Sequence, residues 1–285
     1  MVLSAAGISL VGLFGRWGIA DLSIASLMFF RYIGASALLL FSLGGLGRLR
    51  GFFAFRHLKL QLVRAFFVLL AQYCFFYYLS KADLLNASAL LNTGPMFISL
   101  IEWGLLRKKV GMSSWVGATV SFIGALCILQ PNTGMFSLLS LVGLLSGISQ
   151  GASQVVFGIQ SEKEEYPVLG VAHLFLLCSC LSFVPFLFSA SWHTGPQFLS
   201  HWDIWVIVGV AVFSIMSQIF RARAYRLGTP SRLSPYLYFS VLLSGVWDWI
   251  FFHHIPNTLA ILGATLIVLG GLLKVYLRNY LLKKR

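Results

Sequence analysis

Apolar stretches of about 20 residues recur from one end of this 285-residue chain to the other. That feature limits the possible folds more than any other. Inside hydrocarbon a backbone N–H or C=O finds no water, and a helix satisfies these groups within its own segment. A bundle of spanning helices is therefore the expected architecture. The composition agrees. Charged residues make up 10% of the chain and hydrophobic residues 58%, with a mean hydropathy of +0.85. A soluble globular chain carries about 25% charged residues, so a soluble enzyme of ordinary design is excluded.

Ten spans are expected, over residues 2–20, 25–45, 60–80, 84–105, 113–130, 136–159, 167–190, 203–222, 232–252 and 258–278. The connections are short, so successive helices are antiparallel neighbours, and no separate soluble domain fits between them. The opening stretch, MVLSAAGISLVGLFG, lacks the basic region of a signal peptide and reads as a retained first span. The four cysteines, Cys74, Cys127, Cys178 and Cys180, lie in apolar runs with no CxxC pair, and read as small buried hydrophobes.

Placing the N-terminus in the cytoplasm leaves Arg16, Arg31 and Lys81 outside, out of 21 lysines and arginines. All the others then fall on the inner side, with Arg64 counted in the second connection and Arg221 in the eighth. This asymmetry obeys the positive-inside rule. It puts both termini in the cytoplasm and accounts for the net charge of +13 without nucleic acid.

The chain also repeats itself. Shifted by 146 residues, IEWGLLRKKVGMSSWVGATVSFIGAL (101–126) lies over WDWIFFHHIPNTLAILGATLIVLGGL (247–272) without a gap. Trp103 falls on Trp249, Gly117-Ala118-Thr119 on Gly263-Ala264-Thr265, Gly124 on Gly270, and Glu102 on Asp248. Gln72 falls on Gln218 and Ser88 on Ser234. Five spans is an odd number, so two related halves must cross the membrane in opposite directions. The expected fold is an all-α integral membrane protein of ten transmembrane helices, arranged as two inverted five-helix repeats. Residues 1–132 form the first, and 133–285 the second with its basic cytoplasmic tail. Inverted repeats of this kind place a substrate site between the halves of secondary transporters.

On these residues the chain resembles the drug/metabolite transporter superfamily, in its ten-span EamA-like branch. The resemblance rests on Phe30-Arg31-Tyr32, ALLNTGPMFISLIEWGLL in the fourth span, WVGATVSFIGALCIL in the fifth and LAILGATLIVLGGLL in the tenth. It implies movement of small organic solutes across a membrane. Three positions depart from the family's pattern. Lys108 and His254 stand where the family usually has a glutamate, nine residues before Gly117 and Gly263. Val241 stands opposite Pro95, with Pro235 earlier in the ninth span.

Two polar stripes at helical spacing follow from the repeat: Ser88, Asn92, Pro95, Ser99 and Glu102 in the fourth span, and Ser234, Tyr238, Val241, Gly245 and Asp248 in the ninth. Polar faces in lipid are costly, so both stripes are expected to face protein or water. Glu102 would lie toward the cytoplasmic end of a cavity and Asp248 toward its outer end. Two readings stand for the acids. They are interfacial groups, with Glu102 paired to Arg107 or Lys108 and the tryptophans in the interfacial belt. Or they couple protons, or bind a cationic substrate group beside Trp103, Trp247 or Trp249.

Gln150 and Gln154 in the sixth span suggest hydrogen bonding to a solute, against plain glycine packing by Gly147 and Gly151. Gln72 is expected to share a cavity with Gln218, near the aromatic pair Tyr73 and Tyr77. Arg31 reads as an interfacial anchor and His173 as a structural hydrogen-bonding group. His253-His254 is not a metal site. SEKEEYP (161–167) reads as a solvated hinge, and no phosphate-binding loop is present.

The expected function is secondary active transport of a small organic metabolite by alternating access, in the cytoplasmic (inner) membrane of a bacterium. An amino acid or amine-bearing derivative is the preferred substrate class, and the lipid bilayer the surrounding partner. No cofactor or metal is expected, and the protein is not expected to be an enzyme. The alternative is an integral-membrane enzyme acting on a lipid or lipid-linked substrate.

Overall fold

A computed structural model describes residues 1–45, 57–105, 107, 111–129, 138–163, 167–189, 200–228, 230–254 and 257–283. Among these residues the regular structure is helical throughout, as the backbone's need for internal hydrogen bonds in lipid requires. In chain order the helices are α1 (Val2–Asp21), α2 (Ile24–Gly45), α3 (Leu58–Leu79), α4 (Leu84–Leu91), α5 (Gly94–Gly104), α6 (Met112–Leu129), α7 (Leu138–Lys163), α8 (Pro167–Leu187), α9 (His201–Leu227), α10 (Pro230–Leu233), α11 (Phe239–Phe252) and α12 (Thr258–Lys283). A 3-10 segment, Ser234–Tyr238, joins α10 to α11.

Among the described residues, eight helical stretches are long and apolar enough to cross a membrane, counting Leu84–Gly104 as one, and Trp115–Gly124 and Tyr236–Phe252 are shorter apolar helices. The chain is thus an all-helical integral membrane protein.

The fourth apolar stretch is expected as one helix, but it is two. Pro95 has no N–H to donate to the carbonyl four residues earlier, so the helical ladder breaks there. Side chains reinforce the last turn before the break: Asn92 Nδ2 donates to Ser88 O at 2.7 Å and Thr93 Oγ1 to Leu90 O at 2.7 Å, beside the backbone N–H that each carbonyl also accepts. The ninth stretch is likewise interrupted, where Pro235 lies in the 3-10 segment.

The break is packed tightly against α7. A Cβ on Gly147 would come within 2.5 Å of Leu90 O, and one on Gly151 within 2.7 Å of Gly94 O. Only glycine lets the backbones approach so closely. The second such crossing joins α6 to α12, where Gly124 faces Gly263 O and Gly270 faces Gly117 O. Elsewhere α3 runs along α7, α1 along α9, and α2 along α8. One apolar core links α1, α2, α3, α4, α7, α8 and α9, and a smaller one lies around α4, α11 and α12.

At the start of α9, Ser200 and Asp203 form a reciprocal cap. Asp203 N donates to Ser200 Oγ at 3.1 Å, and Ser200 N to Asp203 Oδ2 at 2.9 Å. This accounts for one of the few acids in the chain.

Candidate substrate cavity

A cavity of ≈ 40 Å³ lies where α1, α2, α3, α7 and α9 meet. Its polar wall consists of Arg31 and Tyr32 from α2, Gln72 from α3, Gln150 from α7, and Ser214, Ser217, Gln218 and Arg221 from α9. Apolar residues, including Val11, Val68 and Phe175, complete the lining. The space has room for a few waters.

Arg31 and Arg221 are only 6% and 2% exposed. Arginine at the centre of a spanning helix costs about 2.5–3.5 kcal/mol on insertion scales, so each needs a local compensation. Neutral groups supply it. Arg31 donates to Gln72 Oε1 at 2.7 Å and lies over the rings of Tyr32 and Phe76, 5.0 and 5.9 Å from their centroids. Arg221 donates to Ser4 Oγ at 3.2 Å and to Ser217 Oγ at 3.4 Å. Arg64, also buried, stands behind the cavity wall. It donates to Gln160 Oε1 at 2.9 Å and Gln218 Oε1 at 3.2 Å, with its guanidinium 3.3 Å from the centre of the Phe157 ring.

The sequence reading treats Arg31 as an interfacial anchor and counts Arg64 and Arg221 with the connections. All three are inside the bundle instead. Helix α3 begins at Leu58 and α9 continues to Leu227, so the helices run past both arginines, as the expected spans 60–80 and 203–222 do, and both side chains are buried. The signal was present in the apolar spacing: Ala222 and Tyr225, both buried, continue the inward face of α9 past Arg221.

A second polar cluster lies at the far end of α1. Asp248 is fully buried. Its Oδ2 accepts from Leu85 N at 2.7 Å, and its Oδ1 is 3.5 Å from Arg16 Nη1. Asp83, the residue before α4, makes no side-chain cap of its own. Asp248 therefore caps α4 from across the bundle, where a carboxylate also complements the helix dipole. Arg16 also donates to Ala82 O at 3.3 Å and lies 4.6 Å above the Phe252 ring. Next to it, His254 and Asp83 approach to 3.0 Å. His253, at φ 49°, ends α11 and turns the chain toward this contact.

The expected site residues separate into three groups. Gln72, Gln150 and Gln218 meet in the cavity. Gln154 lies buried on the same helix as Gln150, but its Oε1 accepts from Tyr225 Oη at 2.7 Å. The fourth-span stripe meets two serines of α11 that lie outside the expected ninth-span stripe, rather than the cavity. Ser88 Oγ donates to Ser244 Oγ at 2.7 Å, and Asn92 Nδ2 to Ser240 Oγ at 3.0 Å. Tyr238 is buried against α12, 3.4 Å from Ser121 Oγ. Glu102 is buried near Tyr225, in electrostatic reach of its hydroxyl. Trp103, Trp249 and Tyr77 point away from the bundle, being 57%, 62% and 50% exposed. Trp247 instead donates from Nε1 to Ser9 Oγ at 3.3 Å. Ser234 lies outside the described side chains. No group of His, Cys, Asp and Glu that could hold a metal occurs among the described residues.

This helical scaffold with a buried polar centre has known counterparts. A solved crystal structure matches it with a TM-score of 0.68 over 98% of both chains at 15% identity, a likeness of fold. The pseudopaline exporter CntI of Pseudomonas aeruginosa (strain UCBPP-PA14) is 27% identical, covering 73% of this chain and 72% of its own. A riboflavin transporter of Rhizobium johnstonii is 26% identical over 100% of this chain and 92% of its own. Another riboflavin transporter, from Vibrio cholerae, is 30% identical over 64% of this chain and 59% of its own. The EamA-like transporter family matches residues 1–130 and 137–276. With nearly the whole length matched, the chain belongs to the EamA-like transporter family.

Proposed function

We propose that this protein is a secondary active transporter that moves a small organic metabolite by alternating access, with its substrate site in the cavity around Gln72, Gln150 and Gln218. The observation that carries this reading is the cavity's position. Its polar wall is shared between α2 and α3 of residues 1–132 and α7 and α9 of residues 133–285. A site between two such units is opened to either side by rocking one against the other.

Two inverted five-helix units, 1–132 and 133–285, remain the proposed organisation. Its support is a correspondence of packing under the 146-residue shift. Helix α1 packs on α9 as its counterpart α7 packs on α3. At the α6–α12 crossing, Gly124 meets Gly263 O as Gly270 meets Gly117 O. In this reading both termini are cytoplasmic and the protein sits in a bacterial inner membrane. The Arg16–Asp248 and Asp83–His254 contacts then hold the outer end closed.

An amino acid or amine-bearing derivative is the preferred substrate class. Proton coupling, in this reading, runs through Glu102. It is a buried carboxylate, and unlike Asp248 it neither caps a helix nor forms an ion pair among the described residues.

The test is uptake into proteoliposomes of pooled labelled amino acids, amines, nucleosides, flavins and sugars, with and without a pH gradient. Wild type runs beside Gln72→Ala and Gln218→Ala. The reading expects one class to accumulate and both variants to lose at least about tenfold, equivalent to about 1.4 kcal/mol. Parity of wild type with empty liposomes for every class would refute it.

A further inference from the structure

Resting on the transporter reading, we infer that the solute carries an oxyanion, a carboxylate or a phosphate, and that Arg31 and Arg221 receive it. The argument is one of donors and acceptors. Arginine has only donors. Because Arg31 bonds Gln72 and Arg64 bonds Gln218, the amide oxygens of both glutamines are turned to guanidinium groups. Their NH₂ groups are then left as the free ends of the two amides, and neither makes a hydrogen bond to another described residue. The cavity thus presents donors where glutamine would otherwise offer both kinds of group.

Two further atoms ask for an acceptor. Arg31 Nε and Tyr32 Oη are buried with no hydrogen-bond partner. Both residues line the cavity. Orphaned buried polar groups are costly, and charged ones most of all. A ligand oxygen bearing negative charge satisfies the guanidinium and the hydroxyl together, through charge-assisted hydrogen bonds.

The charge balance points the same way. Arg31 comes from α2 and Arg221 from α9, and both line the same space. None of the residues lining it is acidic. Among the described residues, neither arginine has a carboxylate in ion-pair contact. The fully buried Asp248 is occupied with Arg16 and the α4 N-terminus. An amine would meet two positive charges and few acceptors. A planar carboxylate or a phosphate fits the guanidinium fork.

The test uses matched pairs of labelled solutes in the same proteoliposomes. Carboxylic acids run against their neutral amides, and phosphate esters against their dephosphorylated alcohols. Wild type runs with Arg31→Gln, Arg31→Lys and Arg221→Gln. The inference expects the carried solutes to be anions, with the neutral partner at least about tenfold slower. Whether the carboxylate or the phosphate pair shows the effect identifies which oxyanion is read. Arg31→Gln and Arg221→Gln are expected to lose at least about tenfold, and Arg31→Lys to keep part of the rate.

The inference is overturned if a neutral or cationic solute is carried as fast as its anion, or if Arg31→Gln carries the anion at the wild-type rate. In both cases a solute still moves, so the transporter reading survives. Absence of movement for every pair refutes both together. The pairwise comparison in wild type requires no variant to fold.

Discussion

Arg16 and Arg31 are both arginines of membrane-crossing helices, and the fold treats them in opposite ways. Arg16 is given a carboxylate: Asp248 faces it at 3.5 Å while capping α4. Arg31 is given amide and ring partners and no carboxylate, in a cavity it shares with Arg221. The first arrangement closes on itself, with its charge balanced by the chain. The second leaves positive charge and an orphaned N–H facing a space. The fully buried acid Asp248 is placed at a helix end rather than beside the central arginines. In the proposed reading, the difference separates a contact that holds helices together from one that receives the solute.

The comparison can be broken most decisively by replacing each partner. Arg31→Gln is expected to lose transport at least about tenfold. Its melting temperature should move by no more than about 2–4 °C, the shift of about 1 kcal/mol in a chain of this size. Asp248→Ala should show the reverse balance. It leaves Leu85 N uncapped and Arg16 without its acid, and should cost about 1–3 kcal/mol of stability. Transport per folded molecule should fall much less. Thermal unfolding and uptake, measured on the same preparations, check both. If Asp248→Ala instead abolished transport without lowering stability, the acid would be part of the site.

A smaller effect sharpens the helix-packing side. Gly124→Val places side-chain atoms where a Cβ already lies 2.6 Å from Gly263 O. Overpacking should cost about 1–3 kcal/mol, seen as a lower unfolding midpoint. The smallest effects are expected at Trp103→Phe and Trp249→Phe. Both rings point out of the bundle, and each variant should keep transport within about twofold, a fraction of a kcal/mol. A tenfold loss at either would restore the tryptophans to the substrate path.

Much of the fold was legible in the sequence because lipid makes its demand in one dimension. A long apolar run must be helical, and its limits follow from where polar residues begin. The same rule caused the errors. The expected spans 60–80 and 203–222 contain Arg64 and Arg221, but counting their charges with the cytoplasmic connections read them as interfacial, although both are buried inside the bundle. Hydropathy has no means of distinguishing an arginine in a loop from one facing a polar cavity.

The glutamines were found because an amide in a span is conspicuous, and Gln72, Gln150 and Gln218 do meet. Gln154 is equally conspicuous and bonds Tyr225 instead. The stripes through Asn92 and Asp248 were legible as inward faces. Helical periodicity does not say whether such a face meets a cavity or another helix. Here Ser88 meets Ser244 and Asn92 meets Ser240. The break at Pro95 was hidden for a related reason: the stripe keeps its spacing across it.

The most direct test of the account is the uptake ratio of Arg31→Gln to Asp248→Asn, each normalised to folded protein, for whichever solute the wild type carries. Asparagine keeps an acceptor for Leu85 N, so Asp248→Asn isolates the charge of the acid. The account predicts that Arg31→Gln falls at least about tenfold while Asp248→Asn keeps more than about half the wild-type rate. The opposite order, with Arg31→Gln active and Asp248→Asn silent, would place the functional charge at the end of the bundle and contradict the account.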